Sequence, residues 1–356
     1  MIYYGFAAVA PLVCWAICSV WQKENRLKGA AYETLKKRLT VLAVLPMFLM
    51  FVLRYKYVGP DTIGYVRFFQ NDIRQYRFGQ LLSKDFMRFE IGFRLYVKII
   101  SLFTSNYTVY FFINGCIIFG TLLRFSLKYT KNPFVFFFLF MTLGTYAFFE
   151  TGLRQALAMT VCLWSIDFIK DKKLWKFVLT VILAYYFHKS AIIFLITYPL
   201  CSIKKYDWML FVYAVLAIVL TIGFTYFQNI FNQLLGYEYD VEETGNGGIF
   251  LMFISVIFLF SFYILYDKKG EDKVPSYIMH LSLITVVFWV LRLISRTAER
   301  ISYYYMFGLY AYFSQATNYQ KDRLDAFLKW LLILACLFLF VYRNNGISYR
   351  FFWQGA

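Results

Sequence analysis

Arg154 and Gln155, with Glu150 just ahead of them, stand in AFFETGLRQALAMTV (147–161), between flanks apolar enough for lipid. Charges inside an apolar bundle are costly, and they commonly line a polar cavity or a substrate path. Arg292, Arg296 and Arg300 in LRLISRTAERISYYY recur every four residues, so a continuous helix would stack three guanidiniums along one face. A guanidinium presents a planar fork of donors that meets phosphate or carboxylate oxygens at two points, so these arginines point to an anionic ligand. Arg154 would open a helix over 151–169, where unpaired backbone amides already favour an anion. Each feature also has a plainer explanation. Glu150 and Arg154 have i,i+4 spacing and Glu299 can reach Arg296, so both could be structural ion pairs.

A second group lies in LAYYFHKSAIIF (183–194). The apolar blocks on either side, 174–187 and 190–203, hold 14 residues each. As helices they would rise only about 21 Å against a hydrocarbon core of about 30 Å. Their tip, His188-Lys189-Ser190, should therefore sit below the outer surface, where it is tolerated only inside protein or in a water-filled cavity. A histidine there could orient or deprotonate a hydroxyl near neutral pH, or simply be a hydrogen-bonded core residue. His280, in YIMHLSL, has no polar neighbours in sequence and reads as packing.

The elements that must carry these residues follow from composition. The 356 residues are 61% hydrophobic and 23% aromatic against 16% charged, which is far too apolar for a soluble domain. Apolar blocks at 1–20, 39–53, 107–124, 133–149, 151–169, 174–187, 190–203, 207–227, 249–266, 277–294, 302–317 and 327–342 predict an all-α, polytopic integral membrane protein of about twelve spans. Lysine-rich loops such as KDKKLWK and DKKGEDK assign the cytoplasmic side and leave both termini outside. The stretch 91–105, short and carrying Arg94 and Lys98, is expected as an interfacial or re-entrant helix on the outer side. The chain reads as one transmembrane domain, 1–356, with outer loops at 54–106 and 228–248 and an uncleaved first helix. Its six cysteines fall in apolar blocks and read as buried thiols, and no metal-ligand spacing is present.

Basic residues divide unevenly in that frame. The inner side holds 21, of which 17 are lysine, while 12 of the 16 on the outer side are arginine. Inner lysines are the usual cytoplasmic anchors. The outer arginines either bind lipid phosphates or handle an anionic ligand. Loop 54–90 adds Arg54, Lys56, Arg67, Arg74, Arg77, Lys84 and Arg88 to that side. There is no phosphate-binding Gly-rich loop, dinucleotide fingerprint, HExxH or soluble nucleotide domain, so a substrate transformed outside must arrive already activated.

Several short motifs, in order, complete the reading: Asp61-Thr62 with Tyr65, Glu90-x-Gly92-Phe93, Arg154-Gln155 with Ala158, His188-x-Ser190-Ala191, and Glu299-Arg300 followed by Tyr303 and Tyr304. Over most of its length the chain resembles the EpsG branch of bacterial polysaccharide polymerases, grouped with the Wzy-type O-antigen, capsule and exopolysaccharide polymerases. The resemblance implies a GT-C-like, membrane-embedded, metal-independent glycosyltransferase with no cofactor, in the bacterial cytoplasmic membrane. It would join undecaprenyl-pyrophosphate-linked oligosaccharide repeats on the outer face, with lipid pyrophosphate as leaving group. Arg154, Arg292, Arg296 and Arg300 would then hold the pyrophosphate. His188 would act on the acceptor hydroxyl, with Asp61 and Glu90 as further candidates for the base. Gln155, Tyr65, Arg67, Arg88, Glu299, Tyr303 and Tyr304 would contact substrate. Membrane lipids, a flippase and a chain-length regulator are the implied partners, and nucleic acid is not one. A glycan ligase, a lipid-linked oligosaccharide flippase or anion transporter, and an outward-acting acyltransferase are the competing readings.

Overall fold

A computed structural model describes residues 2–24, 28–83, 89–203, 206–235, 247–266, 274–319, 322–344 and 348–354. Apolar runs fold into helices because a chain in lipid must bond its own backbone groups. The first half comprises α1 (Ile2–Glu24), α2 (Gly29–Leu53), α3 (Thr62–Arg67), α4 (Ile91–Phe103), α5 (Tyr107–Tyr129), α6 (Pro133–Thr142), α7 (Thr145–Thr151) and α8 (Leu153–Lys170). After α9 (Leu174–Phe187), a tighter 3-10 segment, Lys189–Ile196, leads into α10 (Thr197–Cys201). Then follow α11 (Tyr206–Ile222), α12 (Phe224–Leu235), α13 (Gly248–Leu265), α14 (Ser276–Leu291), α15 (Arg296–Ala316) and α16 (Arg323–Arg343). Among the described residues the only extended pairing is an isolated bridge between Arg54 and Phe351.

Two helices form the centre. All ten residues of α6 are buried, and nearly every residue of α15 after its first turn is buried as well. The α15 helix packs on α6, α13 and α14, and its Gly308 meets Leu281 of α14 so closely that an added Cβ would lie 2.2 Å from the Leu281 Cβ. Polar groups in this core find partners within it. Tyr310 shares a 2.6 Å hydrogen bond with Thr145, and Tyr305 donates to the Ile193 carbonyl at 2.9 Å. The periphery is apolar and exposed, as at Phe6, Val13, Trp208, Phe211, Leu334 and Phe338.

By length and composition, α1, α5, α13 and α16 can each cross a membrane, and the bent pairs α6–α7 and α11–α12 raise the number to six. Four to six of the twelve expected blocks therefore qualify. The others are too short, like the 14-residue α9, or too polar, like α15 with its charged first turn, tyrosines, serines and glutamine. The block 190–203 is not one helix but the 3-10 segment followed by α10. The expected helix at 91–105 exists as α4, yet its two cations face protein: Arg94 donates to the Ser83 carbonyl at 2.9 Å and Lys98 to Ile73 at 3.2 Å. They pin the 54–83 segment, which is itself ordered into α3 and short helical turns.

Three interruptions re-aim the helices around the polar centre. At Gly144, whose φ of 86° suits a residue without a Cβ, α6 ends and α7 departs at 60°. Gly152 separates α7 from α8, and residues 292–295 separate α14 from α15. At the last of these breaks Ser295 is extended and its hydroxyl accepts from the Thr297 amide at 3.2 Å, a side-chain N-cap that starts α15 afresh.

Candidate functional site: a basic cavity between two helix starts

Helices α8 and α15 both begin at the same cavity, of about 540 Å³. Arg154 and Gln155 come from the first turn of α8, and Arg296, Glu299, Arg300 and Tyr303 from one face of α15. Asp61 and Tyr65 join from the cap and body of α3, and His188 from the turn after α9. Helix starts of this kind favour negative charge nearby. Arg296 and Arg300 are exposed to the cavity, whereas His188 is buried with 7% of its surface accessible. The amide of Gln155 donates to the Arg300 carbonyl at 2.6 Å and ties the two helix starts together.

Behind this wall sits one carboxylate with several partners. Glu90, just before α4, accepts from Arg154 Nη1 on one oxygen. On the other it meets His188 Nδ1 at 3.1 Å and the Lys189 amide at 3.3 Å. The Arg154 guanidinium also lies over the Phe89 ring, 4.7 Å from its centroid. Burial holds the His188 imidazole's proton affinity below the ordinary value, with Arg154 and Arg300 adding to the effect and Glu90 opposing it. Tyr304, buried beside this group, shares a 3.0 Å hydrogen bond with Ser190 and does not line the cavity.

Several expectations need correction. Arg292, Arg296 and Arg300 do not form one stripe, because Arg292 closes α14 and the other two open α15. Arg292 is buried away from the cavity and donates through Nε to Glu299 at 2.6 Å, while Tyr303 donates to the other oxygen of Glu299 at 3.1 Å. Arg292 is thus a holder of Glu299. The i,i+4 pairing of Glu150 with Arg154 is also absent, since Gly152 puts them on different helices: Glu150 accepts from Tyr4 at 2.9 Å and Arg154 pairs with Glu90. His280 is not merely packed, because Tyr213 and the Ile203 carbonyl each lie 2.9 Å from a ring nitrogen. Of the cysteines, Cys116 is exposed and Cys14 only half-buried.

Arg67 is exposed on α3 outside the cavity, and Arg88 lies outside the described residues. Sequence reasoning missed Pro60, Phe148, Thr151, Gly152 and Thr297, which complete the lining and carry no chemical signature of their own. Among the described residues no cluster of three or more His, Cys, Asp or Glu side chains could hold a metal ion.

Two further cavities adjoin this one. One of about 500 Å³ shares Thr297 with it and is otherwise almost wholly apolar, lined by residues such as Leu216, Leu220, Phe224, Phe288 and Ile301. The other, of about 770 Å³, lies across Phe148 and Tyr303, whose rings stack at 4.4 Å and form the partition.

Apolar helices around a buried, mostly apolar core, with arginines and a carboxylate-bound histidine lining one cavity, define a helical multi-pass membrane protein with a basic cavity. The chain belongs to the EpsG family, whose profile matches residues 37–353. That membership points to a polymerase role in polysaccharide biosynthesis. No match to the chain was found among curated proteins or among solved structures.

Proposed function

We propose that this protein is a polysaccharide polymerase that joins undecaprenyl-pyrophosphate-linked oligosaccharide repeats on the outer face of the bacterial cytoplasmic membrane. The observation that carries the reading is the meeting of Arg154, Arg296, Arg300 and the Glu90–His188 pair around one cavity. In this scheme the arginines grip the pyrophosphate of the donor. Its carbon–oxygen bond breaks, the electron pair leaves with the pyrophosphate, and the acceptor hydroxyl forms the new bond to the anomeric carbon. Glu90 holds Nδ1 of His188, so Nε2 receives the hydroxyl proton. Forked cations aimed at the charge that develops on the leaving group are each worth about 3 kcal/mol of barrier. Positive charge from arginine makes the transfer metal-independent and cofactor-free.

Asp61, exposed on the same cavity, would contact the acceptor, and Gln155, Tyr65, Glu299 and Tyr303 would line the substrate path. Tyr304, Arg292 and Arg67 do not line the cavity and would act through their neighbours. The apolar cavity that shares Thr297 supports a lipid-bearing substrate, because a polyprenyl chain laid there would deliver its pyrophosphate to Arg296. The whole chain, 1–356, is proposed as one GT-C-like transmembrane domain of about twelve crossings with both termini outside. A flippase and a chain-length regulator would work beside it.

The test is deletion of the gene and its restoration with Arg154→Ala, Arg300→Ala or His188→Ala, followed by profiling of lipid-linked glycans. Single repeat units should accumulate while the ladder of longer chains disappears. Intermediates held on the inner leaflet would overturn the polymerase in favour of transport.

A further inference from the structure

The cavity beyond the Phe148–Tyr303 partition, about 770 Å³ against about 540 Å³ for the basic one, is used by nothing in the polymerase scheme. It opens where α6 breaks into α7. The bend at Gly144 turns α7 so that Glu150, near the end of that helix, sits in the cavity wall. Arg343 of α16 closes the other side, 3.7 Å from where a Gly144 Cβ would stand. Tyr55 and Tyr57 form a rim with ring centroids 5.4 Å apart, and Arg350 completes it from the far end of the chain.

Glu150 is the exceptional group in this wall. Only 4% of its surface is accessible. One carboxylate oxygen accepts from Tyr4, and the Tyr146 hydroxyl lies near the group but donates to the Met47 carbonyl at 3.1 Å; the other oxygen, Oε1, has no hydrogen-bond partner within bonding geometry among the described residues. Among those residues no cation comes within ion-pair distance: the nearby Arg54 guanidinium donates through Nη1 to the Phe51 carbonyl, sits between the Phe51 and Phe111 rings, 4.1 Å from each, and acts on Glu150 only through its charge. A buried carboxylate oxygen without a donor is costly, and such atoms call for an explanation.

We infer that this cavity is a saccharide-binding subsite, in which Glu150 Oε1 accepts from a sugar hydroxyl and the aromatic walls face the sugar rings. Sugars alternate apolar C–H faces with hydroxyl edges. Flat aromatic faces with a few polar groups between them match that alternation. Tyr55, Tyr57, Phe148 and Tyr303 supply the faces, and Glu150, Arg343 and Asn344 the polar groups. The contrast with the apolar cavity across Thr297 separates the two halves of one substrate: lipid on that side, sugar on this, pyrophosphate between. The inference rests on the polymerase reading for the identity of that substrate.

The experiment titrates two lipids onto the purified full-length protein in nanodiscs and follows tryptophan fluorescence. One is undecaprenyl pyrophosphate without sugar; the other is the lipid-linked repeat extracted from cells lacking the protein. Glu150→Gln and Tyr57→Ala should each raise the Kd for the sugar-bearing lipid about tenfold and leave the Kd for the bare lipid unchanged. Tyr57 is 55% exposed, so its substitution tests the subsite even if Glu150→Gln does not fold. Equal weakening of both lipids, no weakening in Tyr57→Ala, or equal wild-type affinity for the two lipids would overturn the subsite. Arg154→Ala reports separately on the parent reading: if that variant still polymerises, the polymerase scheme fails whatever Tyr57→Ala shows.

Discussion

Glu90 serves two masters, and its loss should separate them. It holds the Arg154 guanidinium and the Nδ1 side of His188, and it works against the burial that lowers the imidazole's proton affinity. A base of lowered affinity stays neutral until the solution is more acid than histidine's ordinary 6.5, so the rate should fall only below that value. Glu90→Gln removes an influence that raises the affinity, so the acid limb should move to still lower pH. His188→Gln should abolish the limb and most of the rate; a pH–rate profile on extracted lipid-linked repeats checks both. Arg154→Lys keeps the charge but not the fork, and should cost on the order of 100-fold in turnover with the protein still folded. Breaking the buried pair from the other side with Glu90→Ala should also cost about 3 kcal/mol of stability, seen as a lower thermal midpoint. At this scale the sequence was informative about residue type and poor about partners. Arg154, Arg300 and His188 announced themselves as polar groups in apolar surroundings, but Glu90 lies 64 residues from Arg154 and 98 from His188, beyond any local rule.

The elements deliver those residues by ending in the right places. Helices α8 and α15 start at the cavity, and α8 ends at Lys170, about 27 Å away for its 18 residues. The four-residue spacing of Arg292, Arg296 and Arg300 suggested one continuous helix, and the stronger signal was Ser295, whose hydroxyl caps a new one. Periodicity cannot reveal such a break when both sides keep the same apolar pattern. The kink at Gly144 was equally silent, since FVFFFLFMTLGTYAFF reads as an unbroken span. The tight α14–α15 contact gives a prediction of its own. Gly308→Ala should force the Leu281 backbone aside and lower stability by roughly 1–3 kcal/mol, while Gly308→Val should leave little folded protein in a detergent size-exclusion assay.

Across the whole molecule, the two ends of the chain meet on the side of the cavity. Tyr3 packs edge-on against Tyr349 and Phe351, and the Tyr55 amide bonds to the Arg350 carbonyl at 2.8 Å. If the cavity faces outward, epitopes at either end should be reached by antibody on intact protoplasts, and one inserted after Lys172 should not. Labelling at the ends only after permeabilisation would reverse the orientation. The basic-loop asymmetry in sequence assigns both ends to the outer face, which the labelling tests, while the number of crossings is harder to read from hydropathy. Tyrosine-rich α15 is the most buried of the long helices and one of the least apolar, because its side chains are satisfied by protein rather than by lipid. The stacked Phe148–Tyr303 partition carries one more consequence. With the sugar cavity on one side and, on the other, the basic cavity that leads past Thr297 to the apolar one, a lengthening glycan and its discarded carrier would depart by separate doors, and the spent carrier would not block the newcomer's path.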